Sequence, residues 1–363
     1  MRQTGIVRIL VFVGCICVLS ISPPSAYSDL PPSCELSNVN LAFLQKALGG
    51  WETASRDLLG IDSKPLPWIL LVDPSCVWHL GPGLGVSLGA ESIELPLTIA
   101  GERIPVFAQL HNGTVTLPDK SQIRVTGIAQ ASLFDHDREA YLIMATPDLW
   151  RLDPKVAEDP NLDYMIFGLL SHEIVHTRQL GLISNRIRAL ADRYILPERI
   201  DDDIIEQHFQ EVADFEDSYQ KETDLFYQAV ETTEPERRRS LVSSALTLVD
   251  ERRQRYFTDT NAFYAELEDI FLNMEGLGTW LAFRLAETGA GFDRNPRLFR
   301  WRETHWSHEQ GLALFLLLES MVPSWQARIL GPEVLSPYTL LRQVLQGGTQ
   351  DDSTRMSMDT ELP

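Results

Sequence analysis

Cysteine is scarce, with four residues in 363 at positions 15, 17, 34 and 76, and no two of them form a CxxC pair. Thiolates therefore do not build a metal site in this chain. Positive charge is also in short supply: 31 Lys and Arg stand against 51 Asp and Glu, a formal net charge of −20. A chain this acidic is repelled by phosphate backbones, which argues against nucleic acid as a partner. The excess acid favours solubility and repels anionic membranes and polymers, without specifying a substrate. Long apolar runs are missing as well. The stretch LALFLLLESMV is short and interrupted by Glu319, so no stable membrane insertion is expected once the amino-terminal segment is removed. No internal repeat is present.

That amino-terminal segment is the first positive feature. Arg2 and Arg8 precede an apolar run from Ile9 to Ile21, followed by Ser, Pro and small residues. The run is too short to span a bilayer and has the make-up of a secretory signal peptide, with Ala26 and Ser28 at −3 and −1 of a cut after Ser28. A lipoprotein cut before Cys15 fits less well, because Phe12 would stand at −3. The expectation is a secreted or periplasmic protein. Removing residues 1–28 takes away Cys15 and Cys17 and leaves Cys34 and Cys76, an even pair in an oxidising compartment and expected to be bonded.

Periodicity then divides the chain. CELSNVNLAFLQKALGGWETASRDLLG has helical apolar spacing, with Gly49-Gly50 expected to interrupt or end the helix. PWILLVD, RIPVFAQL, GTVTLP, IRVTGIAQASLF and AYLIMATP carry the β-branched or alternating patterns of strands, separated by turn residues such as His111-Asn112-Gly113. The segment YLIMATPDLWR suits either an exposed sheet edge, to which an extended peptide adds, or a core strand. From DPNLDYMIFGLL onward, helical spacing continues to about Gln346.

Strands followed by helices imply an α+β fold, with a mixed, mainly antiparallel sheet region followed by a predominantly helical region. The expected boundaries are a signal peptide at 1–28, a sheet-bearing region at 29–155, a helical region at 156–346 and a loose tail at 347–363. ETTEPERRRS and DERRQR read as solvated helix faces.

Within the helical region, LSHEIVHTRQL places His172, Glu173 and His176 in an HExxH pattern. Residues four apart on a helix are stacked neighbours, so both imidazoles can converge on one ion while Glu173 points beside it. Met165, Ile166, Phe167, Leu169, Leu170, Ile174 and Val175 surround the motif and favour burial. Two histidines and a glutamate in one buried turn are costly to satisfy by hydrogen bonds alone, and a zinc ion would satisfy them.

A catalytic zinc takes three protein ligands, so a third must come from elsewhere. Downstream, LEDIFLNMEGLGTWLAF carries Glu275 beside Gly276 and Gly278, and a glycine next to a ligand lets another helix approach closely. An HExxH helix followed by a helix bearing Glu-Gly resembles the gluzincin-type zinc metallopeptidases. That resemblance implies a zincin-like catalytic region with His172, His176 and Glu275 as zinc ligands, Glu173 as general base, and a peptide or protein as substrate. It covers only the two motif helices; the interval from His176 to Glu275 is long, and the Gly-Ala-Met-Glu-Asn motif of the aminopeptidase branch is absent.

Other residues compete for the third position. QEVADFEDSYQKETDLFY offers Glu211, Glu216 and Glu222, and RWRETHWSHEQGLALF offers His305 and His308. His308 is also a candidate catalytic donor to a tetrahedral oxyanion. A reading from a different class is a non-catalytic envelope protein in which zinc, or a buried His and Glu network, is structural, with His308 or Glu268 filling a fourth position.

Overall fold

The computed structural model describes residues 11–12, 34–81, 91–134, 139–158, 162–288, 294–299, 305–331 and 335–358. The expected signal peptide therefore lies outside the described residues apart from Val11–Phe12, a two-residue strand parallel to Ile200–Asp201. The architecture is α+β. The chain divides into two compact units that do not follow sequence order. One comprises Met1–Asn185, Glu198–Asp201 and Leu281–Arg294; the other comprises Arg186–Pro197, Asp202–Trp280 and Asn295–Pro363.

The first unit holds a six-stranded sheet of β1 (Trp68–Val72), β2 (Cys76–Leu80), β3 (Glu91–Ile93), β4 (Val106–Leu110), β5 (Ala129–Phe134) and β6 (Glu139–Ala145), in the order β5-β6-β1-β2-β4-β3. Every pairing is antiparallel except β6 with β1. Strand β6 is interior and buried from Tyr141 to Ala145, which excludes the edge-strand reading of YLIMATP and leaves the core strand. IRVTGIAQASLF forms two strands, Gln122–Arg124 and β5, where one continuous pattern was expected.

The tight turn between β1 and β2 is fixed by Asp73. Its carboxylate accepts the backbone N–H groups of Ser75 and Cys76 and the indole N–H of Trp78, each at 2.7 Å. Cys76 opens β2 and is bonded to Cys34, as the cysteine count implied.

Helix α1 (Asn38–Ala54) is capped by the Ser37 hydroxyl, which accepts from the Asn40 N–H. It runs through Gly49-Gly50, continues as a π-helical turn over Ser55–Leu59, and stops at Gly60 in left-handed conformation. Gly50 does not break the helix. A Cβ there would stand 3.0 Å from the Phe167 ring, so the residue serves the close packing of α1 on the next long helix.

Helix α2 (Leu162–Ala191) carries HExxH. In the second unit follow α3 (Ile204–Phe209), the antiparallel pair α4 (Ala213–Glu231) and α5 (Pro235–Tyr256), then α6 (Tyr264–Ala286) as far as Trp280, α7 (Trp306–Met321) and α8 (Pro337–Met358); the last turn of α6, from Leu281, belongs to the first unit. Helix α8 extends to Met358, through most of the expected loose tail; residues 359–363 lie outside the described residues.

Charge on α5 is not all solvated. Arg252 is 1% exposed and holds Glu222 through two contacts of 2.8 and 2.9 Å and Glu268 at 2.8 Å, packed among the Phe215, Tyr219 and Phe257 rings. Arg253 completes the cluster with Glu268 and Asp269. The expected solvated face of DERRQR is thus corrected at these two residues. The charges are tolerated inside because each is paired.

Candidate metal centre

Helix α2 brings His172, Glu173 and His176 into the interior, where the three are 3%, 0% and 0% exposed. The two imidazoles meet edge to face, with Nε2 of His176 2.7 Å from Nε2 of His172. Two protonated nitrogens cannot face each other at that distance, so at least one Nε2 presents a lone pair. His176 Nδ1 lies 3.1 Å from Gln179 Oε1, one helical turn on. A carbonyl oxygen only accepts, so Nδ1 carries the proton, and the neutral His176 ring presents the Nε2 lone pair to its neighbour. This is the tautomer a metal ligand requires. Sequence reasoning passed over Gln179, although its position three residues beyond His176 places it on the same helix face.

Close helix approach is written in small residues. In the first unit, a Cβ on Gly168 would stand 2.8 Å from the Ala282 Cα, so α2 packs against the carboxy-terminal end of α6 with no room between the backbones. In the second unit, Gly276 on α6 meets Gly311 on α7. A Cβ on either would lie 2.5–2.8 Å from the other's Cα. The expectation for Gly276 is met; its partner Gly311 was not anticipated.

That glycine contact sets the surroundings of Glu275, which is fully buried. His308, one turn before Gly311, places Nε2 3.2 Å from Glu275 Oε2 and 3.3 Å from Asp202 Oδ2, while its Nδ1 faces the Thr279 hydroxyl at 3.2 Å. The start of α7 is held in place by buried hydroxyls: Tyr219 and Tyr227 donate to the backbone carbonyls of Trp306 and Glu309, each at 3.1 Å. Gln310 donates to Thr223 and accepts from Tyr338. His305 adopts a left-handed backbone at the head of the helix, with Nδ1 3.5 Å from Asp203 Oδ1. Nearby, burial and the Asp203 charge push the Glu206 carboxyl up to about 7 against the opposing hydrogen bond from the Trp306 N–H.

Within the second unit, Asp202, Glu275 and His308, all buried, are able to hold a metal ion; within the first, His172 and His176 supply a buried pair of imidazoles. The rivals are otherwise placed: Glu211 is exposed, Glu216 is half-buried, and Glu222 is engaged by Arg252. Glu268, the expected fourth ligand of a structural site, is likewise held by Arg252 and Arg253. For His308 to donate to an oxyanion, Nε2 would have to leave both carboxylates. Asp202 was not singled out from the sequence. It sits in a run of three aspartates of which Asp201 and Asp202 are both buried, and nothing in the pattern sets it apart.

The donor chemistry suits zinc, which takes imidazole nitrogen at about 2.0–2.1 Å and carboxylate oxygen at a similar distance. On a tetrahedral ion two such nitrogens stand about 3.3 Å apart, so the His172 and His176 rings, now at 2.7 Å, must part by about 0.6 Å. Small side-chain rotations cover that. No described helix is long and apolar enough to cross a membrane. Comparison with known proteins returned no matching family, no similar curated protein and no similar solved structure.

Proposed function

We propose that the protein is an exported, zinc-dependent hydrolase of peptide bonds, similar to the gluzincin-type metallopeptidases, with His172, His176 and Glu275 as metal ligands and Glu173 as general base. The observation that carries this reading is the buried imidazole pair of HExxH, its Nε2 atoms turned toward each other and one tautomer set by Gln179. Glu275 is the third ligand that the resemblance implies, and it is fully buried. The Cys34–Cys76 bond is compatible with export.

When bound, zinc would supply Lewis acidity at the scissile carbonyl. Glu173, enclosed beside the ligand pair, takes a proton from the attacking water and returns it to the leaving amine. Gln179 keeps His176 in its ligand tautomer through both steps. The test is Glu173→Gln, assayed with a fluorogenic peptide library beside elemental analysis of the purified protein. Retained zinc with a fall in kcat/KM of about a hundredfold or more supports the assignment. Unchanged turnover removes Glu173 from the mechanism.

One observation favours a second reading. His308 lies against Glu275, so a further nitrogen stands beside a proposed ligand, as in a closed structural site. A non-catalytic envelope protein with structural zinc would keep the ion through Glu173→Gln and hydrolyse no peptide in the wild type.

A further inference from the structure

We propose that Asp202, Glu275 and His308, all within the second unit, form a second divalent-cation site; Glu275 is also the third ligand in the function proposed above. The site rests on three observations within one unit. First, its three ligand atoms, one from the turn before α3 and one each from α6 and α7, converge within 4.8 Å, on side chains 4%, 0% and 2% exposed. Second, the spacing is that of ligands. His308 Nε2 stands 3.2 and 3.3 Å from the two carboxylate oxygens, close to the about 3.3 Å between donors on a tetrahedral ion, and longer than the 2.7–2.9 Å of a charge-assisted hydrogen bond. Third, the opposite ring nitrogen faces the Thr279 hydroxyl at 3.2 Å, an orienting contact that can hold the proton on Nδ1 and turn the Nε2 lone pair toward Asp202 and Glu275.

Charge points the same way. Asp202 and Glu275 bring two carboxylates to one imidazole, and Asp203 stands next in the chain. Burying like charges is costly, and a divalent ion neutralises them. A small cleft of about 10 Å³, lined by Asp202, Glu206, Trp306 and Ser307 among others, has room for about one water molecule beside Asp202. A carboxylate has two oxygens, so Glu275 can serve one ion with each.

The inference uses Glu275 in common with the proposed zinc centre, and the experiment separates the two. The full chain is stripped with a chelator, dialysed against excess zinc, and its metal content measured by elemental mass spectrometry alongside Asp202→Asn, His308→Ala and His176→Ala. The expected result is two zinc ions per chain in the wild type and one in each variant. Circular dichroism checks that each variant is folded; Asp202→Asn, which keeps side-chain shape, stands in should His308→Ala fail. One ion in the wild type, kept in Asp202→Asn and lost in His176→Ala, overturns the second site and leaves the first standing. One ion lost in Asp202→Asn and kept in His176→Ala supports this site and overturns the HExxH centre. No zinc overturns both. Two ions undisturbed by Asp202→Asn and His308→Ala also overturn the assignment.

Discussion

At the scale of single residues, His79 shows what a buried titratable group costs. It is 3% exposed on β2, against the Trp68 ring, and burial lowers its pKa to about 4. The unfolded chain takes up this proton near pH 6.5 and the folded chain near 4, so stability is intact at neutral pH and falls as pH drops between those values. The loss through His79 should reach about 3 kcal/mol, from 1.36 kcal/mol per pKa unit. Urea unfolding of wild type and His79→Leu at pH 7 and pH 4.5 checks this: the variant should lose less stability on acidification. The ligand histidines were legible because HExxH fixes their mutual spacing on a helix. His79 and Arg252 were not, because a lone histidine between apolar neighbours, or an arginine in a mixed-charge run, gives no sign of which side faces inward. Burial of Arg252 depends on Glu222 and Glu268, which are 30 and 16 positions away in sequence.

At the scale of elements, helices were read well wherever a repeating apolar face ran for several turns, as in α2 and α6. Strand β2 was passed over: CVWHL is buried at all five positions and therefore shows no alternation. Glycine was the main source of misreading. Gly49-Gly50 looked like a stop, yet the helix continues because Gly50 makes room for Phe167, whereas nothing lies within 4 Å of a Cβ at Gly49. Two substitutions separate these roles. Gly49→Ala should stabilise by about 0.5–1 kcal/mol, because alanine loses less backbone entropy in a helix. Gly311→Ala should destabilise by about 1–3 kcal/mol, because its Cβ would meet the Gly276 backbone at 2.5 Å. Urea midpoints read both. The larger effect should come with weaker metal retention, since the same contact carries His308 to Glu275.

For the molecule as a whole, the order of strands and helices was enough to give the α+β class, and the cysteine count to give the Cys34–Cys76 bond. That bond closes a loop across 42 positions and ties the segment before α1 to the centre of the sheet. Chain entropy alone puts its contribution at about 4 kcal/mol. The Cys34→Ser, Cys76→Ser double variant should therefore unfold at a clearly lower denaturant concentration than the oxidised protein, and adding reductant should bring the wild type to the same midpoint. The division into units was beyond sequence reading, which assumed one boundary near residue 155. Periodicity reports which element a residue joins, not which neighbours that element will keep.

The interleaving of those units bears on how the protein comes into being. The unit with the sheet is not complete until Leu281–Arg294 has been made, and the other begins at Arg186 yet draws on residues beyond 295. A chain emerging from the ribosome thus has neither unit whole until most of its length is out. Each half must wait for the other to be delivered, and a truncated product ending before residue 281 should be a target for quality-control proteolysis, with no stable fragment left behind.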